Sequence, residues 1–420
     1  MTQLNQNRPG YKHTPLGWIP EDWEIRKMKE IAKVQGGYAF DSKKFATSGR
    51  YQVVKMSNVY NGVLDLNRSA SFLSSLSVQE QNFMLRHDDI LLTLTGTIGK
   101  RDYGYTYRIN GEENLVLNQR VARIISIREK ANPVYLSYAL KTKRILDQFF
   151  FSARGGTGNQ ANVGTGDVEL IDVIAPPLSE QQKISDILLA WDEAIIKIQQ
   201  FISQLQERNG GFSQQLLVRK KRLNGFEDEW KKLRIHDIAK EIVLKNRGGK
   251  DLTVLSCTKY DGLVPSLEYF GRQVFGSDTS TYKIVPLDHF AYATNHIEEG
   301  SIGYQSRFEE ALISPMYTVF KTNSEVYDDY LLKLLKSHQF IHEYRRRMEG
   351  SIDRRGGLRW DEFSKIIIDL PELEEQKAIA SLLNKAEEEV KCFEKNLDAL
   401  QRQKNGLMQK LLAGEIRVKM

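Results

Sequence analysis

The chain repeats itself. Pro176-Pro177-Leu178-Ser179-Glu180-Gln181 returns 195 positions later as Pro371-Glu372-Leu373-Glu374-Glu375-Gln376. The same offset runs without a gap to Gln214-Gln215-Leu216-Leu217 against Gln409-Lys410-Leu411-Leu412. Upstream it matches Tyr135-Leu136 with Tyr330-Leu331, Leu140-Lys141 with Leu335-Lys336, and Gly155 with Gly350. Nearer the start of each copy the offset becomes 207, so that Trp23 meets Trp230 and Ile31-Ala32-Lys33 meets Ile238-Ala239-Lys240. Self-similarity on this scale constrains a fold more than any single motif does. The 420 residues are two versions of one unit. Two copies are too few for a solenoid, and they predict a pseudo-dimer within one chain.

Each copy has two parts. The first is mixed. Gln52–Met56, Asp89–Leu94 and Gln119–Ile125 are apolar and β-branched runs separated by Gly, Asn and Asp clusters, and they read as strands. Leu252–Leu255, Phe290–Ala293 and Tyr317–Phe320 do the same in the second copy, while Val134–Lys143 and Tyr327–Ser337 read as helices. The prediction is a small α+β domain used twice.

The second part is a long helix. Ile184, Leu188, Trp191, Ile195, Ile198, Ile202, Leu205, Asn209, Phe212 and Leu216 alternate steps of four and three. Their counterparts 195 residues on are Ile379, Leu383, Ala386, Val390, Phe393, Leu397, Leu400, Lys404, Leu407 and Leu411. The polar position, Asn209 or Lys404, is the same in both. Such a sustained pattern is a coiled-coil seam. Ser179 and Gln182 form a capping-box signature after Pro176-Pro177, which predicts a helix start near 179 and an end near Arg222. Helix one leads within a few residues into the second mixed domain, which in turn feeds helix two, so paired helices must run antiparallel. Seam positions then sum to about 595: Ile184 faces Leu411, Ile198 faces Leu397, Asn209 faces Ala386, and Lys404 faces Trp191 in a cation–π contact. The expected spacer is about 48 Å long, with one domain at each end. Gly211 and Gly406 match within these helices and predict a close backbone approach or a bend near the polar seam layer, against the plainer reading of tolerated drift.

Composition excludes several classes. With 41% hydrophobic and 27% charged residues the chain buries real cores. No run approaches the roughly eighteen apolar residues of a membrane span. The opening MTQLNQNRPGYKH lacks the apolar centre of a secretory signal and reads as a polar tail. Two cysteines, Cys257 and Cys392, build neither a disulfide framework nor a multi-cysteine zinc site, which suits a reducing cytoplasm. A formal charge of +6 permits a nucleic-acid partner without demanding one.

Catalytic signatures fail on inspection. Thr95-Gly96-Thr97-Ile98-Gly99-Lys100 resembles the tail of a P-loop, but Leu94 stands where a glycine is needed and Arg101 where a Ser or Thr is, so it reads as a turn after a strand. Gly156–Ala161 fits G-x-G-x-x-A without the flanking strand and helix. Ala175-Pro176-Pro177-Leu178 lacks the residues that present an amine to a methyl donor. His338 and His342 have no third metal ligand. Recognition chemistry is better represented. Arg345, Arg346, Arg347, Arg354, Arg355 and Arg359 cluster in copy two, and arginine suits both phosphate neutralisation and bidentate reading of guanine. The matching stretch of copy one offers Arg154, Asn159, Gln160 and Asn162 among glycines, and Asn and Gln can read adenine. These ten residues are the candidate DNA contacts; the competing reading of each is a solvated loop residue.

The twofold repeat, the helix starts Pro177–Ile184 and Glu375–Ile379, and the stretches Leu117–Arg123 and Asp88–Thr93 together resemble the specificity subunit of type I DNA restriction–modification enzymes, over nearly the whole length. The resemblance implies two target-recognition domains, residues 1–175 (with 1–17 a loose tail) and 224–370. They would be separated by spacer helices at 176–223 and 371–420, the latter including a C-terminal tail. It further implies a non-catalytic, cytoplasmic reader of a split asymmetric site on double-stranded DNA. Two methyltransferase subunits would dock on the spacer, joined where present by restriction–translocase subunits. S-adenosylmethionine, ATP and Mg would sit on those partners and none on this chain. The alternatives are a coiled-coil adaptor with no DNA role and a stand-alone DNA-modifying enzyme.

Overall fold

The structure is a computed structural model that describes residues 8–60, 62–155, 159–349 and 357–418. It divides into two compact units, Met1–Ile198 with Asn396–Met420, and Gln199–Lys395. Each unit holds one mixed domain and half of each long helix.

Unit one opens on an antiparallel hairpin of Tyr11–Thr14 and Gly17–Pro20, whose Tyr11 hydroxyl donates to the Gly414 carbonyl at 2.6 Å, so the described part of the expected loose tail is ordered by strand pairing, while residues 1–7 lie outside the described residues. After it come β1 (Glu24–Lys27), β2 (Ala32–Gly36), β3 (Tyr51–Val54), β4 (Ile90–Thr93), β5 (Thr95–Thr97), β6 (Thr106–Arg108), β7 (Leu115–Leu117) and β8 (Val121–Ser126). Then come α1 (Pro133–Ala139), α2 (Lys143–Phe151), β9 (Arg154–Gly155), β10 (Gln160–Asn162), β11 (Asp172–Ala175) and the long helix α3 (Leu178–Leu217). An antiparallel sheet of order β6-β4-β8-β2 forms its centre, β7 runs parallel to β3 beside it, and β11 pairs with β1. Unit two repeats the plan with β12 (Lys231–Arg234), β13 (Ala239–Glu241), β14 (Val254–Thr258), β15 (Gly262–Pro265), β16 (Lys283–Pro286), β17 (His289–Ala293), β18 (Ile302–Gln305), β19 (Glu310–Ile313) and β20 (Tyr317–Thr322). These lead to α4 (Asp328–Leu335), α5 (His338–Glu349), α6 (Trp360–Phe363), β21 (Ile367–Leu370) and α7 (Leu373–Leu412). Its central sheet has the matching order β18-β17-β20-β13, β14 is parallel to β19, and β12 pairs with β21. The registers agree too, Val121 opposite Thr93 in one unit and Tyr317 opposite Ala293 in the other.

The long helices pair antiparallel within each unit. In unit one Ile184 and Leu188 are fully buried in one core with Trp23, Tyr135, Leu136, Leu411 and Leu412. In unit two Leu216 and Leu217 share a core with Trp230, Tyr330, Leu331, Ile379 and Leu383. Ile195, Ile202, Leu205 and Val390 are buried, and Trp191, Ile198, Phe393, Leu397 and Leu400 are half-buried. The Asn209 amide donates to the Ala386 carbonyl at 2.7 Å, and Phe201 meets Phe393 edge-on at 4.9 Å. The predicted Lys404–Trp191 contact is replaced: Lys404 pairs with Asp192, one residue on, and its ammonium lies 5.3 Å from the Tyr138 ring centre. A carboxylate outcompetes an indole face for a half-buried ammonium, because full charge attracts more strongly than a quadrupole. A methyl group added at Gly211 or Gly406 would meet nothing within 4 Å, so no close backbone approach within the chain requires these glycines. Helix α3 starts at Leu178, where the Pro177 carbonyl accepts from the Glu180 and Gln181 amides, and not at a Ser179 cap. It stops at Leu217, short of Arg222, where Arg219 turns left-handed (φ 58°) and the Lys220 and Lys221 amides close on the Gln215 carbonyl.

A charged node ties each helix start to its domain. The Trp23 indole donates to Glu180 at 2.9 Å, and Arg417 clasps the same carboxylate at 2.7 and 2.9 Å. In unit two Trp230 donates to Glu375 at 3.0 Å and Arg222 clasps it at 3.1 and 2.7 Å. Arg222 and Arg417 stand at the 195 offset, beyond where the match of the helices stops. Glu180 and Glu375 are each 1% exposed, a burial that a carboxylate tolerates only when paired. No helix among the described residues is long and apolar enough to cross a membrane.

Candidate nucleic-acid interface

In unit one the candidate residues of copy one converge on a small sheet. β10 lies between β5 and β9, with Thr95 opposite Asn162, Thr97 opposite Gln160, and Arg154 also opposite Asn162. The Ile98 amide donates to the Asn159 carbonyl at 3.1 Å. Arg154, Asn159, Gln160 and Asn162 therefore sit beside the Thr95–Arg101 segment, which is a strand and turn and not a phosphate loop. Gly96 is obligatory, since a Cβ there would fall 2.3 Å from the Tyr103 ring. Asp102 accepts from the Thr97 amide at 2.8 Å and its hydroxyl at 2.7 Å, which fixes the turn and holds the Asp102 carboxyl below its usual range. Ile98, Lys100 and Arg101 are exposed around it. Arg154 is exposed and reaches Asp167 at 3.3 Å, a surface pair easily exchanged for another anion.

Other loops meet this sheet. The Leu94 amide donates to the Arg120 carbonyl, Val163 to Leu94, and Gln119 to Tyr38. Gly37 packs so closely that a Cβ would lie 1.9 Å from the Asn118 carbonyl. The turn Asn118–Val121, with Gln119 and Arg120 exposed, thus belongs to the same end of the domain.

Unit two builds the equivalent end with different chemistry. The Leu358 amide donates to Thr294 at 2.9 Å and Thr294 to Met316 at 3.4 Å, as Val163 does to Leu94 and Leu94 to Arg120. Gly357 is obligatory, a Cβ there falling 2.0 Å from the Thr294 carbonyl. Beside these lies a cleft of about 360 Å³ bordered by Glu241, Lys283, Asn295, Met316, Arg359 and Trp360. An adjoining one of about 320 Å³ is bordered by Ser256, Phe275, Tyr282, Asn295, Met316 and Tyr317. Burial pulls the Lys283 ammonium pKa down, and its Nζ donates to the Tyr317 carbonyl at 2.5 Å.

The arginine cluster separates into distinct roles. Arg346 donates to Glu343 at 3.0 and 2.8 Å, and Arg347 to Glu343 at 2.8 Å, which holds the Glu343 carboxyl below its usual range. Arg345 is exposed and has no ion pair among the described residues, and Arg359 is exposed at the cleft rim. Arg354 and Arg355 lie outside the described residues. Sequence reading missed the Asn118–Val121 turn, the Thr95–Arg101 segment and Trp360 as parts of these ends. The i−3 and i−4 spacing of Glu343 from Arg346 and Arg347 was a signal that could have found their pairing. For a metal, His296, Glu298 and Glu299 are the described group whose ligand atoms lie within 4.8 Å of one another, on a largely exposed 3₁₀ turn.

Fold and site define an internally duplicated protein, each copy combining a mixed domain with helical segments and ending in equivalent turns that carry unlike side chains. Residues 20–207 match the family model described as type I restriction modification DNA specificity domain. The chain is 23% identical to the type I restriction enzyme MjaVIII specificity subunit of Methanocaldococcus jannaschii, over 96% of this chain and 94% of that one. A candidate specificity subunit of the MjaX enzyme of the same organism is also 23% identical, over 97% of each chain. Among solved structures, a chain from a type I R-M system aligns with a TM-score of 0.59 at 17% identity, covering 95% of this chain and 99% of that chain. The HsdS subunit from Thermoanaerobacter tengcongensis aligns at 0.52 and 15% identity, covering 95% and 98%. Over residues 20–207 the chain thus matches the type I restriction modification DNA specificity domain, and over nearly its whole length it is similar to type I specificity subunits.

Proposed function

We propose that this chain reads a split, asymmetric site on double-stranded DNA and scaffolds the enzymes that modify it. Each mixed domain takes one half-site. The paired helices set the gap and seat two DNA methyltransferase subunits, which restriction–translocase subunits can join. The chain itself is a non-catalytic cytoplasmic subunit, and S-adenosylmethionine, ATP and Mg belong to its partners. The observation that carries this reading is the conjunction of one backbone plan used twice with unlike side chains at the equivalent ends. Asn, Gln and Arg line the end of unit one, while Arg, Met and Trp line that of unit two. A shared scaffold with divergent tips suits two different targets.

The test is duplex binding by this chain in complex with its methyltransferase subunits, measured across salt. The reading expects sequence-dependent affinity whose logarithm falls linearly with the logarithm of salt concentration, at about 0.9 per phosphate neutralised. Equal, salt-insensitive retention of all duplexes would leave only an adaptor.

A further inference from the structure

We propose that the two equivalent turns Asn118–Val121 and Ser314–Tyr317 read bases, Arg120 in one half-site and Met316 in the other. The inference rests on the DNA-reading function proposed above and assigns residues to it.

The two turns occupy one position in the repeat. Each follows the strand that runs parallel to its partner, β7 or β19, and leads into the central strand, β8 or β20. Each is closed by a backbone bond, Val121 to Asn118 at 3.4 Å and Tyr317 to Ser314 at 3.0 Å. Each third residue accepts from the loop after the neighbouring strand, Arg120 from Leu94 at 3.0 Å and Met316 from Thr294 at 3.4 Å. The backbone is thus held in place at both ends while the side chains differ completely.

Arg120 is the anomaly. Its φ is +69°. Within the mixed domain of unit one the other described non-glycine residues with positive φ are Ser69, Asp88 and Asn114, all short polar side chains, of which Asn and Asp tolerate the left-handed region best. A turn with positive φ at its third residue ordinarily takes Gly or Asn. A long, exposed arginine here strains the backbone, and such strain accumulates where a side chain has a task. No described residue pairs with the Arg120 guanidinium, and the Asn118 Oδ1 is shut off from solvent with no partner in the described structure. A guanidinium held on a fixed turn has the geometry to bond guanine O6 and N7 together.

Met316 holds the same place without a charge. It is 55% exposed, follows Pro315, and borders both clefts of unit two. An exposed thioether side chain cannot donate a hydrogen bond, but it fits the one apolar mark in the major groove, the thymine C5-methyl.

The experiment uses the complex with methyltransferase subunits, its methylated motif read by sequencing and its affinity measured on duplexes altered one base pair at a time. Arg120→Gly removes the side chain yet suits the backbone, so the melting temperature should hold or rise. Discrimination at one base pair of one half-site should fall about 5- to 150-fold. For Met316, replacing one thymine of the other half-site by deoxyuridine should weaken binding by the parent but not by Met316→Ala. An unchanged motif in Arg120→Gly, or a uniform loss on every duplex, overturns the assignment for Arg120 while leaving the split-site reading intact. Absence of any methyl-dependent thymine overturns it for Met316. A parent complex with no sequence preference at all would defeat the function proposed above, a result distinct from either.

Discussion

The two units agree near the helices and part company away from them. Close to the helix starts the match is nearly atomic: Trp23, Glu180 and Arg417 repeat as Trp230, Glu375 and Arg222. Gln181 and Gln376 each donate to the carbonyl five residues back, that of Pro176 or Pro371, at 2.8 and 2.9 Å. At the far ends of the sheets the backbone bonds persist and the side chains do not, as Arg120 against Met316 illustrates. The polar seam position is intermediate, with Lys404 using a carboxylate and a tyrosine ring where Asn209 uses a backbone carbonyl. The lesson is a division of labour: residues that hold domain to helix are fixed by buried charge, whereas the tips are free to vary because their scaffold is carried by main-chain bonds.

The strongest way to break this comparison is at the nodes. Glu180→Ala and Glu375→Ala should each destabilise their own unit by about 3 kcal/mol, since each strips a buried, hydrogen-bonded charge pair of one partner. Urea unfolding checks it; a loss in one unit far below that in the other would deny the equivalence. Next comes the seam. Lys404→Asn should cost less, about 1 kcal/mol, because Asp192 keeps the Tyr138 hydroxyl as a donor. The arginines of α5 sharpen the contrast between committed and available charge. Arg345→Ala should lower the salt slope of DNA binding by about 0.9. Arg346→Ala and Arg347→Ala should change it less, because Glu343 already engages both. Gly211→Ala and Gly406→Ala should each stabilise by about 0.5–1 kcal/mol, there being open space for the added methyl.

The smallest effect is the pH dependence of Glu343. Its folded pKa is depressed by Arg346 and Arg347 below the ordinary 4.5, so its contribution is present above that value and fades as pH falls through the lower folded pKa. NMR titration of the carboxyl against Arg346→Gln measures it.

Local pattern made part of this legible in sequence. The seam announced itself because its period is a property of successive residues, and the repeat exposed the pairing direction through chain order alone. The ends of the sheets were legible only in composition. That Gln160 lies opposite Thr97, or that Arg120 is driven left-handed while Leu94 holds its carbonyl, depends on pairings between distant segments. The Arg417–Glu180 clasp spans 237 positions. Lys404 illustrates the opposite failure: the seam register was right to within one residue, and that residue decided whether the ammonium met a ring or a carboxylate.

The central claim, one reader per unit on a shared frame, is tested most directly by exchanging residues 1–175 for the corresponding region of a relative with a different target and sequencing the methylated sites. The account predicts that one half of the recognised sequence changes while the other half and the gap between them stay as they were. Simultaneous rewriting of both halves would contradict it.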